Sequence, residues 1–70
     1  MPEHFYVHLK VARAREGITQ EELADRVGVT RKTINTIERG HFIPSTQLAL
    51  KLARALGTTV EELFSLEAKS

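Results

Sequence analysis

Only Gly28 and Val29 lie between the end of one short helical pattern and the cap of the next, and this spacing constrains the fold more than any other feature of the chain. The first pattern opens at Thr19-Gln20-Glu21-Glu22, which has the form of a capping box: the Thr19 hydroxyl satisfies a free N–H of the first turn while Glu22 reaches back. Leu23, Ala24 and Val27 then supply an apolar face at helical spacing. Gly28 stands where the chain must turn left-handed, a conformation glycine adopts without a Cβ penalty. The spacing predicts a helix over 20–27. Thr30 caps a second helix over about 31–38, with Ile34 and Ile37 inward and Gly40 as its stop. A connection this tight rules out an antiparallel pair, so the two helices are expected to cross steeply.

The flanks follow the same punctuation. Leu9 and Ala12, with the stem of Arg13, predict a helix from about Val7 to Glu16, ended by Gly17. Pro44-Ser45 reads as a stop followed by an N-cap, after which Leu48, Ala49, Leu52, Ala53 and Leu56 give a clean 3.6-residue stripe closed by Gly57. Thr59-Val60-Glu61-Glu62 repeats the capping-box form and opens a last short helix with Val60, Leu63 and Phe64 inward. His4–His8 and Phe64–Glu67 carry β-compatible residues in partial alternation, so the two ends are expected to pair as a small ribbon. The expected fold is all-α: five short helices in a single domain over 1–70, with a two-stranded ribbon at its ends. A chain of 70 residues has room for one small core.

Composition removes several function classes. With no cysteine there is no disulfide framework, thiolate metal site or thiol nucleophile, and a reducing, cytoplasmic setting is expected. Apolar runs are only a few residues long, so no membrane span or signal peptide is expected. The formal charge of +1 looks uninformative until it is divided along the chain. Residues 26–54 hold six basic residues and one acid, Glu38, for a net +5, whereas 1–25 and 55–70 each carry −2. A basic centre between acidic ends is the footprint of a protein that binds an anion on one face, although an ordinary solvated surface gives the same segregation.

The segment QEELADRVGVTRKTINTIERG, residues 20–40, resembles the helix-turn-helix of phage-repressor-like regulators, the Cro, cI and Xre family. The similarity extends over most of the chain, with Leu9–Gly17 resembling the family's first helix, Pro44-Ser45 and LALKLARALG its fourth, and TVEELF its fifth. The matched positions have physical reasons: Ala24 is small where two helices approach, and Leu23, Val27, Val29, Ile34 and Ile37 are apolar where they bury inner faces. The resemblance also implies an ion pair between Arg13 of the first helix and Glu38 near the end of the second helix of the motif. Paired in this way, the one acid of the basic segment no longer repels phosphate.

What the resemblance implies for function is double-stranded DNA recognition through the major groove, with 31–38 as the recognition helix. Arg31 and Lys32 are suited to guanine O6/N7, Asn35 to adenine, and Thr36 to a thymine methyl or a phosphate. Phosphate contacts are expected from Gln20, Thr30, Thr33, Arg39, His41, Ser45 and Thr46, which sit at helix starts or follow the recognition helix. Thr46 departs from the family pattern, where an aliphatic residue often stands. Relatives usually work as two-fold dimers on near-palindromic operators, most often as repressors. Phe5, Tyr6, Leu63, Phe64 and Leu66 are the residues expected at a homodimer contact. The alternative is an antitoxin or partner-binding adaptor built on the same domain.

Catalysis has little support. Glu21-Glu22 and Glu61-Glu62 sit in first helical turns, where carboxylates are favoured by the dipole, and Ser65 and Ser70 have no recognisable histidine partner. His4 and His8 offer two metal ligands without an evident third, so neither metal nor cofactor is expected.

Overall fold

A computed structural model describes residues 4–67, in the order β1 (Tyr6–Val7), α1 (Leu9–Arg15), α2 (Gln20–Val27), α3 (Arg31–Glu38), α4 (Thr46–Ala55), α5 (Val60–Leu63) and β2 (Phe64–Ser65). The side-chain caps fall where the hydroxyls were placed by sequence. Thr19 accepts from the Glu22 N–H at 3.0 Å, and the Glu22 carboxylate accepts from the Thr19 N–H at 2.8 Å, completing the capping box. Thr30, Ser45 and Thr59 accept from Thr33, Leu48 and Glu62 N–H groups at 3.2, 3.1 and 3.2 Å. Each satisfies one donor that a helix start leaves open.

Gly28 ends α2 at φ 76°, and the N–H groups of Gly28 and Val29 both return to Ala24 O. The position is conformationally demanding but not crowded, since a Cβ added there would meet nothing within 4 Å. α2 and α3 pack against one another directly, and α4 closes over α2.

One apolar cluster joins the elements. Leu9, Leu23, Ile34, Ile37, Leu52 and Leu63 are fully enclosed, with Ala24, Val27, Ala49, Ala53, Leu56 and Phe64 completing it. No polar or charged residue among the described ones joins this cluster. Small residues on α2 and α4, namely Ala24, Ala49 and Ala53, contribute buried methyl groups to the cluster.

The ribbon is antiparallel, with Tyr6 opposite Ser65 and Val7 opposite Phe64. Its formation shortens α1 relative to the sequence expectation. Val7 is held in the ladder, and the His8 N–H donates to Leu63 O at 2.7 Å, so helical turns begin only at Leu9. Phe5 lies on Phe64 with nearly parallel rings 5.8 Å apart. No helix among the described residues is long and apolar enough to cross a membrane.

Candidate nucleic-acid interface

α3 is anchored from behind at both its centre and its end. Ile34 and Ile37 are wholly buried, which turns the opposite side of the helix outward. At its C-terminal end Glu38 receives Arg13 from α1 in a forked contact, Nε to Oε2 at 2.7 Å and Nη2 to Oε1 at 3.3 Å. The Arg13 Nη1 donates to Ile18 O at 2.8 Å, and the Gln20 side-chain amide donates to Glu38 Oε1 at 3.0 Å. One carboxylate, with its side chain only 4% exposed, therefore ties together α1, α2 and α3. The hydrogen bond that Arg13 donates to Glu38 raises the Arg13 pKa against the opposing effect of desolvation, so the guanidinium stays charged and cancels the only acid in the basic segment.

Outward from this anchor, Arg31 and Lys32 are exposed and Asn35 and Thr36 half-buried, so the four residues assigned to bases lie on or at the edge of the solvent face of α3. The Thr36 hydroxyl donates back to Lys32 O at 2.8 Å, which leaves its methyl group as the more available end of the side chain. The residues assigned to phosphates divide into two groups. Arg39, His41 and Thr46 are exposed and have side chains available. Thr30 and Ser45 already use their hydroxyl oxygens as N-caps, and the Thr33 hydroxyl lies 3.1 Å from that of Thr30.

Gln20 opens α2, the place on which its expected phosphate contact rests, and its side chain is engaged elsewhere. Its amide faces Glu38 within the protein, which leaves its backbone N–H at the start of α2 as the group available to an anion. Nothing in the local sequence signals this contact, because Gln20 and Glu38 are 18 residues apart.

The apolar face at the chain ends also differs in detail. Leu63 is 0% exposed and Phe64 8%, so both side chains are used in the protomer's own core and Leu63 offers no surface to a second copy. Phe5 and Tyr6 are half-buried and Leu66 is exposed. Val11, Phe42, Ile43 and Leu50 are further large apolar residues that stand exposed. Ile43 and Leu50, with Phe5, Pro44, Val60 and Phe64, border an open groove of about 410 Å³ between the ribbon, α4 and α5. Two consecutive large apolar residues in the loop between Gly40 and Pro44 were the available signal.

Ser65 corrects another expectation, for it has a histidine partner. His8 Nε2 and Ser65 Oγ are 2.9 Å apart across the ribbon, although the residues are 57 positions apart in sequence. The hydroxyl donates to Glu67 O at 2.6 Å, so the imidazole N–H donates to the hydroxyl oxygen. A general base must accept the nucleophile's proton, and here the proton is directed elsewhere. The contact fastens the ribbon. Ser70 lies outside the described residues. His4 and His8 flank Tyr6, whose ring centroid is 4.3 Å from one imidazole and 6.5 Å from the other. Among the described residues no cluster of three or more metal-ligating side chains occurs.

A family model described as helix-turn-helix matches residues 9–63, which include all five helices. The chain is 48% identical over 59 residues to an uncharacterized HTH-type transcriptional regulator, YgzD, of Bacillus subtilis, spanning 84% of this chain and 89% of that one. It is 54% identical over 56 residues to an uncharacterized HTH-type transcriptional regulator of Methanothermobacter thermautotrophicus, spanning 79% and 81%. Among solved structures it is similar to the restriction-modification controller protein C.AhdI of Aeromonas hydrophila, with a TM-score of 0.74 and 36% identity over 79% of this chain and 80% of the other. The anchored α3, the capped turn before it and these matches agree: the chain belongs to the helix-turn-helix family of transcriptional regulators, of the Xre and Cro/cI type.

Proposed function

We propose that the chain is a single-domain, sequence-specific regulator of transcription, most simply a repressor, which acts in the cytoplasm by inserting α3 into the major groove of duplex DNA. One observation carries the reading. Ile34, Ile37 and the Arg13–Glu38–Gln20 contacts fix the back of α3, so that its other side offers Arg31, Lys32, Asn35 and Thr36 with no acid among them. Arg39, His41, Thr46 and the starts of α2, α3 and α4 are the proposed phosphate contacts, with Thr30, Thr33 and Ser45 acting through their helix starts as much as through their hydroxyls.

Two copies are proposed to bind a near-palindromic operator, their half-site centres about one helical turn apart. The apolar groove beside α4 supports a homodimer in which Ile43, Leu50 and Leu66, 68%, 58% and 53% exposed, meet the partner, with Phe5 and Tyr6 at the margin. The same groove favours the second reading, a regulator that also holds another protein.

Selection of bound sites from a random duplex library tests DNA binding, specificity and palindromy together. A two-fold symmetric consensus is expected, and recovery of unrelated duplexes would refute the operator reading. If each protomer neutralises about three to four phosphates, log Kd against log salt has a slope of magnitude about 5–7. Lys32→Ala with Thr36→Ala should abolish operator selectivity while leaving any protein partner bound. Leu50→Asp should yield monomers in sedimentation analysis, and a dimer of undiminished stability would remove Leu50 from the interface.

A further inference from the structure

Phe42 is 46% exposed, and it stands beside the base-reading side of α3 rather than in the groove by α4. With Lys32, Thr33 and Thr36 it lines an open, mostly apolar recess of about 170 Å³. Three features give this recess a chemical character. The Thr36 hydroxyl is turned toward Lys32 O, so its methyl group is left as a contact surface. The Lys32 stem contributes methylene groups while its ammonium remains free to reach solvent or an anion. The surroundings are cationic, with Arg31, Lys32 and Arg39 nearby in sequence and Glu38 tied to Arg13. An exposed aromatic ring on such a surface has no partner within the protomer's core.

A helix in the major groove meets base edges, not base faces. The apolar group on those edges is the C5-methyl of thymine, which is well matched by Phe and by the methyl of Thr. We infer that the recess between α3 and Phe42 receives the C5-methyl group of one thymine in each half-site, which makes Phe42 a specificity-determining residue outside the recognition helix. The inference rests on the proposed docking of α3. It adds to that docking an apolar component of readout supplied by the loop after the helix, alongside the hydrogen bonds offered by Arg31, Lys32 and Asn35.

Uracil supplies the probe, since it pairs like thymine and lacks only this methyl group. In the operator obtained by library selection, each thymine is replaced singly by deoxyuridine and binding of the full chain is measured by fluorescence anisotropy. Burial of one methyl-sized group corresponds to about a fourfold change in affinity. One position per half-site should therefore show about a fourfold loss, and both together about fifteenfold. Phe42→Ala should bind the thymine and uracil operators nearly alike, whereas Phe42→Leu should keep part of the discrimination. Phe42 lies outside the buried cluster, so both variants should keep the wild-type circular dichroism and melting curve.

Two results would overturn the inference while leaving the operator reading intact: wild-type protein indifferent to uracil at every thymine, or Phe42→Ala retaining the full fourfold ratio at the sensitive position. Failure of the wild-type chain to select any duplex would overturn the operator reading and this inference together.

Discussion

Removal of Arg13 should destabilise the protein far more than its position on a short N-terminal helix suggests. In Arg13→Ala the Glu38 carboxylate, 4% exposed, loses both guanidinium hydrogen bonds and keeps only the Gln20 amide, while Ile18 O loses the donor at 2.8 Å. Breaking a buried pair from one side costs about 3–5 kcal/mol, because the remaining charge stays buried. Arg13 itself is 15% exposed, and water can reach part of the vacated space, which places the expected loss near the lower end, about 3 kcal/mol. That is a large share of the roughly 5–15 kcal/mol typical of a folded domain. Replacing both partners by apolar residues of similar length, Arg13→Met with Glu38→Leu, removes the uncompensated charge. The double variant should lie within about 1 kcal/mol of wild type. Urea titration followed by circular dichroism, at a common m-value, gives both numbers and the coupling between the residues. A single-variant loss below about 1 kcal/mol, or a double variant as unstable as Arg13→Ala, would refute the claim that this carboxylate depends on Arg13.

Two further outcomes follow from the geometry around α2. Gly28→Ala must hold a Cβ at φ 76°, and because no neighbour crowds the site its cost is purely conformational, about 1–2 kcal/mol in a thermal or urea melt. The same substitution leaving stability unchanged would show that the turn relaxes out of the left-handed region. Acid should loosen the start of α2, since hydrogen bonds from the Thr19 backbone and side chain hold the Glu22 carboxyl below its ordinary value. A depressed folded pKa contributes stability that is complete above the unfolded value of about 4.3 and is lost as pH falls through the folded one. The protection of the Thr19 and Glu22 amides, relative to intrinsic exchange at each pH, should fall across that acidic window in wild type and show no such step in Glu22→Gln.

The helices were legible because their ends carry short-range chemistry. Thr19, Thr30, Ser45 and Thr59 each cap through the third residue downstream, a contact written within four letters of sequence. Gly17, Gly28, Gly40 and Gly57 mark the stops, and all four adopt positive φ. The apolar stripes likewise identified the core, since Leu23, Ile34, Ile37 and Leu52 follow helical spacing and are all fully buried. What was harder to read depends on distant partners. The start of α1 is set by a carbonyl of Leu63, and the roles of His8 and Ser65 exist only once the two ends meet. Leu63 was expected both inward and at a homodimer contact, and only the inward place is observed; α5 has just four residues, too few for periodicity to distinguish an inner from an outer face. Gln20 carried the chemistry of a phosphate contact, but its side-chain amide is used on Glu38, a partner that tertiary packing supplies.

The three-helix junction at Glu38 also bears on mechanical tolerance. α3 has eight residues and so extends about 12 Å at the helical rise. Tilting a rod of that length by about 5° moves its far end by about 1 Å, more than the half-ångström range over which an N–H···O distance stays favourable. Ile34 acts near the middle of α3, where its leverage against such a tilt is small, and the buried side chain of Ile37 lies one residue from the end. The Glu38 carboxylate acts at one end, with the full length of the helix as its lever arm. Substitutions in α1, which contributes none of the residues assigned to DNA, are therefore placed to change how sharply one base sequence is distinguished from another without altering a single group that faces it.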